Sequence, residues 1–310
     1  MADQAQRSDA EQLPASLRCM QRFTYDLARY PFPTLVADVL AMSTPLDKLH
    51  TSDEVQDWLS GVRRNGARAY AMRRNVVDCK FKDAGSFRAV GALQDAYLAF
   101  VDEVIAPLIT LEDEAQEASE LLYQRDPNFR AHIPGTGHHL TQRHRDADYH
   151  HQPLEVNIWI PLTNARASNT LWVESSPGAA DFAPFEACPG EGIRFWGHSC
   201  EHYTLPNETD ETRVSFDFRV LPTSLYRETY PNSHRKDGLA RFGLGGFFAQ
   251  AGVQAAAAQA LSTRLHAAGL EAVDGMHAAD VAQAVAEIHS LDLGSISDAP
   301  VRRLSEDVMS

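Results

Sequence analysis

The sequence lacks the features that mark membrane and secreted proteins. It has no run of about 18 or more apolar residues, so no transmembrane helix is expected. Its N-terminal stretch is polar and has no apolar signal-peptide core. Cysteine is scarce, and the 4 cysteines are scattered without a Cys-x-x-Cys pair, which disfavours a disulfide framework. We therefore expect a cytoplasmic protein with reduced thiols and no membrane partner.

Positive charge is also scarce. The 310 residues include 28 Lys and Arg against 42 Asp and Glu, and the formal net charge is −14. This balance makes a basic stripe, and hence a nucleic-acid partner, unexpected. An acidic surface is compatible with a cationic small-molecule partner but does not establish one. Nothing in the sequence excludes a homo-oligomer.

Apolar periodicity divides the chain into a helical, a β-rich and a second helical region, over residues 1–120, 121–222 and 223–310. Helical spacing predicts helices near 51–62, 93–104, 247–269 and 278–290. A loop over 224–246 connects the β-rich region to the last two helices. Because no long linker separates the regions, we expect residues 1–310 to form a single domain.

The β-rich region consists of short runs bounded by Pro, Gly and Asn. Its alternation of apolar and polar residues predicts strands near 128–133, 139–146, 154–161, 169–174, 192–197, 200–205 and 212–220. This many short strands in so short a segment predict a small sandwich or jelly roll. The expected fold class is therefore α+β, with helices on both sides of a β core.

One predicted strand contains two potential metal ligands. His144 and Asp146 are two residues apart, so on a strand both side chains leave the same face. An imidazole and a carboxylate supply two ligands of a 2-His-1-carboxylate site, which leaves positions open on Fe(II). His202, at the start of another predicted strand, is the candidate third ligand. Alone, His-x-Asp is more often a pair of surface residues.

The order of residues further along the chain strengthens the metal-site interpretation. Arg213 and Ser215 follow His202 and share one face of a predicted strand. A guanidinium binds a carboxylate through two parallel hydrogen bonds, and a hydroxyl adds another. The pair could hold the distal carboxylate of 2-oxoglutarate while the keto acid end chelates the iron. The alternative is that Arg213 forms a surface salt bridge.

Four segments resemble the phytanoyl-CoA-dioxygenase-like superfamily, and within it the oxygenase-like proteins of streptomycin-type biosynthesis. They are residues 144–149 (HRDADY), 157–163 (NIWIPLT), 169–178 (NTLWVESSPG) and 212–219 (TRVSFDFR). The resemblance covers about a third of the chain. It implies a double-stranded β-helix, which is a cupin-like jelly roll, an iron triad of His144, Asp146 and His202, and Arg213 on 2-oxoglutarate. It also implies O2 as cosubstrate and a sugar-like or aminoglycoside-like secondary metabolite as substrate.

Other polar residues around these motifs are candidates for the site. Asp148 and His150 are alternative ligands or substrate contacts, although the sequence there reads as a loop approaching a proline. Asn157 could hydrogen-bond 2-oxoglutarate, and a buried structural role is equally compatible. Arg130 and His132 share a strand face and could line the pocket, while a core histidine is the alternative for His132.

The resulting hypothesis is an Fe(II)- and 2-oxoglutarate-dependent oxygenase (EC 1.14.11.-) that hydroxylates a small molecule. Desaturation, ring closure and epimerisation begin with the same hydrogen abstraction, so the sequence does not choose among them. Two rival classes remain: a cupin-like metal-dependent isomerase or hydrolase that does not use 2-oxoglutarate, and a non-catalytic metal-binding protein. Arg213 and Ser215 argue against the first, and an intact triad argues against the second.

Overall fold

The computed structural model describes residues 13–40, 43–52, 87–109, 121–137, 139–230, 233 and 235–251. All of these residues belong to one compact unit, Met1–Gly252. The helices predicted near 51–62 and 278–290 lie outside the described residues, except that residues 51 and 52 end a 3-10 helix. The prediction of a single domain over residues 1–310 therefore stays a prediction.

The N-terminal part of the described chain is mostly helical. Its elements are α1 (Ala15–Arg18), β1 (Gln21–Thr24), α2 (Phe32–Leu40), a 3-10 helix (Leu46–Thr51), α3 (Phe87–Phe100), a π-helical turn (Val101–Ile105) and α4 (Ala106–Leu108). The predicted helix over 93–104 is confirmed, because Leu93, Tyr97 and Phe100 recur at helical spacing and are buried. None of the described helices has the length and apolarity needed to span a bilayer.

The strands that follow are short except for one. They are β2 (Leu121–Gln124), β3 (Asn128–His132), β4 (Val156–Pro161), β5 (Leu171–Val173), β6 (Ala183–Pro184), β7 (Glu191–Phe195), β8 (His202–Thr204), β9 (Arg213–Pro222) and β10 (Phe248–Gln250). The predicted helix over 247–269 is wrong at its start, because β10 occupies 248–250 and pairs with β2. The rest of that predicted helix lies outside the described residues.

The strands form two antiparallel sheets. The larger sheet has the order β1-β7-β4-β9-β2-β10, with β3 also paired to β9, and the smaller has the order β6-β5-β8. Mixed helices and antiparallel strands agree with the α+β class predicted from the sequence. Strand β9 lies at the centre, because β4 pairs along one edge while β3 and β2 share the other.

The register between β4, β9 and β3 sorts their side chains into two faces. Phe218 lies opposite Ile158 and Phe216 opposite Phe129, whereas Asp217 lies opposite Trp159. The first of these faces packs against the N-terminal helices, since the Phe216 ring meets Phe32 at 5.1 Å between centroids. The other face is turned towards polar side chains, and it forms a wall of the candidate site.

The strand predicted over 139–146 is wrong. Within it the structure has only isolated bridges, at His139 and His144, and the chain enters a 3-10 helix at Asp146–Tyr149. The cause is local turn chemistry, because the Asp148 carboxylate accepts a hydrogen bond from the Arg145 backbone N–H at 3.0 Å. The turn ends at His150, whose φ is 70°.

Candidate metal centre

Three potential metal-ligand atoms converge where the sequence predicts a triad. Nε2 of His144 lies 3.6 Å from Oδ1 of Asp146, and Nε2 of His202 lies 3.7 Å from the same oxygen. All three atoms lie within 4.8 Å of one another. In the part of the chain that the structure describes, no other three His, Cys, Asp or Glu side chains come together in this way.

Backbone hydrogen bonds bring the ligand residues together even though no regular strand forms around His144. His144 and His202 exchange N–H···O bonds of 3.2 and 2.9 Å, forming an antiparallel bridge that sets their rings 4.3 Å apart. The Asp146 N–H donates to the carbonyl of Gly197 at 2.9 Å. The two-residue spacing therefore places both side chains together through a bridge and a turn rather than through a strand.

Each histidine is oriented by a hydrogen bond from its other ring nitrogen. Nδ1 of His144 lies 2.7 Å from the Gln142 carbonyl, and Nδ1 of His202 lies 3.0 Å from the Cys200 carbonyl. A carbonyl only accepts, so Nδ1 carries the proton and the Nε2 lone pair faces the site. Burial lowers the pKa of His202 to about 4, although Asp146 acts in the opposite direction. The His202 ring is therefore neutral at pH 7, as a metal ligand must be.

The two oxygens of Asp146 have different surroundings. Oδ1 faces the imidazoles, whereas Oδ2 accepts hydrogen bonds from Arg219 Nε at 3.0 Å, Arg219 Nη2 at 2.9 Å and Asn157 Nδ2 at 2.7 Å. Burial raises the pKa of the Asp146 carboxyl, but Arg219, followed by His144, outweighs burial and holds that pKa well below its usual range. The group is therefore a permanent carboxylate.

Arg213 is a fully buried cation beside this centre. Its Nε donates to the Asn169 carbonyl at 2.9 Å and its Nη1 to Ser215 Oγ at 2.6 Å. No described carboxylate forms an ion pair with it. Burial, and then the neighbouring Arg130, lower the pKa of Arg213 to about 9. A buried charge is costly unless it is paired, so the environment of Arg213 favours an anionic ligand.

Two members of the triad, His144 and His202, line one cavity together with Arg213. The residues that line it are Arg130, Thr141, His144, Asn157, Trp159, Leu171, Phe195, His202, Thr204, Arg213, Asp217 and Arg219. The Arg213 guanidinium lies 5.8 Å from the centroid of the Trp159 ring. A small molecule in this cavity would therefore lie between the candidate metal ligands and a buried guanidinium.

The two remaining predicted cofactor residues lie in or near the cavity wall. Asn157 lines the cavity, but both ends of its amide are engaged, because Nδ2 donates to Asp146 and Oδ1 accepts from the Gly197 N–H at 3.1 Å. Ser215 is buried and accepts its hydrogen bond from Arg213. The predicted contacts of Asn157 and Ser215 with 2-oxoglutarate stay predictions.

Of the four candidate substrate residues, Arg130 alone is among the cavity-lining residues. It forms an ion pair with Asp217. His132 is buried with Nδ1 3.1 Å from the Asn169 carbonyl, and burial lowers its pKa to about 3, as in a core histidine. The Asp148 side chain is about half exposed and caps the 3-10 turn, which His150 ends. Neither belongs to the described ligand cluster.

Two charged residues of the wall, Asp217 and Arg219, were not among the residues predicted for the site. Asp217 and Arg219 continue the alternation that begins with Arg213 and Ser215, and they lie on the same face of β9. The signal was present, because all four polar residues occur at every second position. Arg219 is the more informative omission, since it contacts the candidate ligand Asp146 directly.

The fold and site define a class of protein: a mixed helix-and-sheet chain with a 2-His-1-carboxylate cluster beside a buried arginine that pairs with no carboxylate of the described residues. No family model matches the sequence. The streptomycin biosynthesis protein StrG of Streptomyces griseus is 30% identical over 214 residues, which are 69% of this chain and 89% of that protein. The chain therefore belongs to the StrG family. The predicted resemblance to proteins of streptomycin-type biosynthesis is confirmed.

Solved structures also align with the chain. The non-heme monooxygenase ThoJ in its nickel complex has a TM-score of 0.37 at 18% identity, over 69% of this chain and 79% of that one. CytC3 with Fe(II) and alpha-ketoglutarate has a TM-score of 0.29 at 18% identity, over 46% and 63% respectively. Scores of this size do not establish a shared fold, so the family assignment rests on StrG.

Proposed function

We propose that this chain is an Fe(II)- and 2-oxoglutarate-dependent oxygenase of the phytanoyl-CoA-dioxygenase-like type, which uses O2 to oxidise a C–H bond of a small molecule. One observation carries the proposal: both histidines of a 2-His-1-carboxylate cluster line the same cavity as the buried Arg213, which pairs with no carboxylate of the described residues. The cluster suits a metal with open positions, and the guanidinium suits a ligand that brings its own carboxylate.

The donor set fits Fe(II). His144, Asp146 and His202 would hold the metal through two neutral imidazole nitrogens and one carboxylate oxygen, the ligands of non-haem iron oxygenases. The hydrogen bonds behind each ligand fix its orientation, as they do in established metal sites. When bound, Fe(II) supplies the redox chemistry with O2 that no side chain in the cavity could supply.

The protein's own residues then bind and orient 2-oxoglutarate. A guanidinium has five N–H donors, and the contacts with Asn169 and Ser215 use two of them, so three remain for the distal carboxylate. Trp159 and Phe195 form apolar parts of the wall and exclude water from the reacting groups. The chain thereby orders the reactants and keeps the guanidinium in a poorly solvated environment, where its pairing is strong.

The arrangement of the two sheets is the next part of the proposal. We propose that the two antiparallel sheets form a double-stranded β-helix around the cavity. The position of the cluster supports this, because the bridge between His144 and His202 continues from β8 of the smaller sheet, while Arg213 begins β9 of the larger one. Ligands contributed by both sheets are expected when a cavity lies between them.

The cosubstrate site provides the test. Arg213→Ala should raise the dissociation constant of 2-oxoglutarate roughly thirtyfold to several thousandfold, because an unpaired buried carboxylate costs about 2–5 kcal/mol. Arg213→Lys should bind more weakly than wild type, since lysine keeps the charge but lacks the planar fork. The measurement is calorimetric titration of 2-oxoglutarate into the anaerobic, iron-loaded protein.

Iron affinity without 2-oxoglutarate serves as the control and should change little in both Arg213 variants, because Arg213 is not a ligand. Equal affinity of wild type and Arg213→Ala for 2-oxoglutarate would contradict the proposal. Absence of succinate formation with every substrate tested would do so as well, and would favour a metal-dependent isomerase, hydrolase or binding protein.

For the substrate, we propose a sugar-like or aminoglycoside-like secondary metabolite. Its support is the name of the relative, a streptomycin biosynthesis protein. The loop over 224–246 packs beside the turn after Asp146, since Phe242 stacks on His151 at 4.0 Å, and it could contribute to substrate selection. The acidity of the whole chain does not extend to the cavity, whose wall contains Arg130, Arg213 and Arg219 against Asp217.

The substrate screen should measure stimulation of 2-oxoglutarate turnover by candidate metabolites. Each amino sugar is best paired with its N-acetylated, uncharged counterpart, because the cavity gives no electrostatic reason to prefer the ammonium form. Turnover with a simple aliphatic acid, and with no sugar of either kind, would contradict this part of the proposal while leaving the reaction class intact.

A further inference from the structure

We propose that Arg219 is a positioning residue that makes Asp146 a ligand through one oxygen only and so keeps a coordination position free on the metal. The inference rests on the proposed function, because it concerns the same centre. Arg219 is not among the residues that the sequence motifs predict for the site. The contacts of Arg219 are the basis for this assignment.

Arg219 and Asn157 use the accepting capacity of one carboxylate oxygen. Two nitrogens of Arg219, at 3.0 and 2.9 Å, and the Asn157 amide, at 2.7 Å, all donate to Oδ2 of Asp146. A carboxylate oxygen has about two lone-pair directions, so three donors leave Oδ2 little capacity for a metal. Oδ1 is the oxygen that faces His144 and His202, at 3.6 and 3.7 Å.

A second carboxylate holds Arg219 in place. Its third nitrogen, Nη1, donates to Oδ2 of Asp217 at 2.8 Å. Asp217 is itself held by an ion pair with Arg130 and by the Asn128 amide at 3.2 Å. Arg219, Asp217 and Asp146 are each at most 6% exposed. If the guanidinium turned away into solvent, the buried Asp146 would lose its arginine partner and Asp217 would keep only Arg130.

This arrangement matters because of the number of positions that the chemistry requires. A 2-His-1-carboxylate set leaves three positions open when the carboxylate binds through one oxygen. A chelating 2-oxoglutarate would take two of them, and O2 would need the third. If Asp146 bound through both oxygens, the position for O2 would be lost. Arg219 prevents this by occupying Oδ2 before any metal arrives.

The test replaces Arg219 in the full chain and measures metal binding directly. Arg219→Met keeps much of the side-chain length and removes all three donors. We expect its dissociation constant for Co(II) to rise about 10- to 100-fold, the usual result of removing a partner of a metal ligand. We also expect its visible Co(II) spectrum to change, because the spectrum reports the coordination number. Arg219→Lys should retain part of the affinity.

Arg194 provides a matched control. It is a buried arginine on β7 of the same sheet, but its guanidinium donates to the backbone carbonyls of Leu108 and Ser16, at 2.6 and 2.5 Å, and does not line the cavity. Arg194→Met should lower the unfolding temperature and leave Co(II) affinity and spectrum unchanged. If Arg194→Met and Arg219→Met weakened Co(II) binding equally, the cause would be the loss of a buried arginine in general. That result would overturn the proposal.

A folded Arg219→Met protein that binds Co(II) as tightly as wild type, with the same spectrum, would also overturn it. If the methionine variant does not fold, Arg219→Lys decides, since unchanged affinity and spectrum there would have the same meaning. The outcome is separate from that of the proposed function. Metal affinity reports on Arg219 alone, whereas 2-oxoglutarate affinity and succinate formation report on the reaction class.

Discussion

Strand β9 has two faces of opposite chemistry, and both are buried. Val214, Phe216, Phe218 and Val220 form one face, and Arg213, Ser215, Asp217 and Arg219 form the other. In most antiparallel sheets such alternation means that one side packs and the other meets water. Here three residues of the polar face, Arg213, Asp217 and Arg219, line a cavity instead. The comparison separates the residues of β9 that pack in the core from those for which we propose a role in ligand binding.

The apolar face is held by aromatic packing against the N-terminal helices. The Phe216 ring meets Phe32 of α2 at 5.1 Å, and the Phe218 ring meets Tyr97 of α3 at 5.1 Å, both edge to face. Phe216 and Phe218 are each at most 1% exposed. Burial of this extent removes apolar surface from water and is the main source of stability in the sheet.

The cavity face cannot contribute to stability in the same way. Burying arginines and aspartates has a large desolvation cost, which their mutual ion pairs offset only when geometry is good. Asp217 and Arg219 meet that condition through their contacts with each other and with Arg130 and Asp146. Arg213 does not, because no described carboxylate pairs with it. This difference is the reason why we propose Arg213, rather than Asp217 or Arg219, as the residue that binds an anionic ligand.

The largest loss of metal binding is expected when one of the candidate metal ligands is replaced. His144→Ala and His202→Ala should each abolish measurable Fe(II) binding and turnover, because two ligands do not hold the metal tightly. Their stability should stay near that of wild type, since the bridge between them is formed by backbone groups. Anaerobic iron titration and thermal unfolding measure the two properties separately.

Asp146→Ala should differ from the histidine variants. It should lose metal binding and also about 3–5 kcal/mol of stability, because Arg219 is left as a buried charge without one of its carboxylates. Asp148→Ala is the control, since that side chain is about half exposed and caps a turn. Loss of iron binding in Asp148→Ala, with binding retained in Asp146→Ala, would show that the triad is wrong.

A substitution on the apolar face of β9 should lower stability and leave ligand binding nearly unchanged. Phe216→Ala should reduce the free energy of unfolding by about 3–5 kcal/mol, the usual range for a buried aromatic residue. The folded fraction should still bind Fe(II) and 2-oxoglutarate with near wild-type affinity. Urea denaturation monitored by circular dichroism gives the first quantity and calorimetry the second. A large loss of ligand affinity without loss of stability would show that the two faces are not independent.

Spacing in the sequence was sufficient to predict which residues come together. His144, Asp146 and His202 converge as the motif predicts, and Arg213 lines the same cavity as the two histidines. The local structure around His144 was not predictable in the same way. The same two-residue spacing is produced by a strand or by a bridge followed by a turn, and the Asp148 cap selects the turn.

The contact of Arg219 with Asp146 also could not be predicted from the sequence, but for a different reason. Alternation in the sequence shows that Arg213, Asp217 and Arg219 share a face, but it does not show whether that face meets water or a cavity. The pairing of β9 between β4 and β3 decides this, and it depends on contacts between residues far apart in the chain. For Asn157 likewise, the sequence left two roles open, and the structure supplies its contact with Asp146.

The smallest effects are expected from substitutions at two adjacent residues of β9 that lie on opposite faces. These substitutions test most directly whether the two faces act independently. Ser215→Ala removes one hydrogen bond that orients the Arg213 guanidinium, so the free energy of unfolding should fall by about 1.5–3 kcal/mol, and the dissociation constant of 2-oxoglutarate should rise less than in Arg213→Ala. Val214→Ala removes two buried methyl groups from the other face and should cost roughly 1.5–2 kcal/mol of stability, at about 0.8 kcal/mol per carbon. Val214→Ala should leave the dissociation constant of 2-oxoglutarate nearly unchanged. If Val214→Ala weakened 2-oxoglutarate binding as much as Ser215→Ala, packing on the apolar face would affect binding on the cavity face. The two faces would then not be independent.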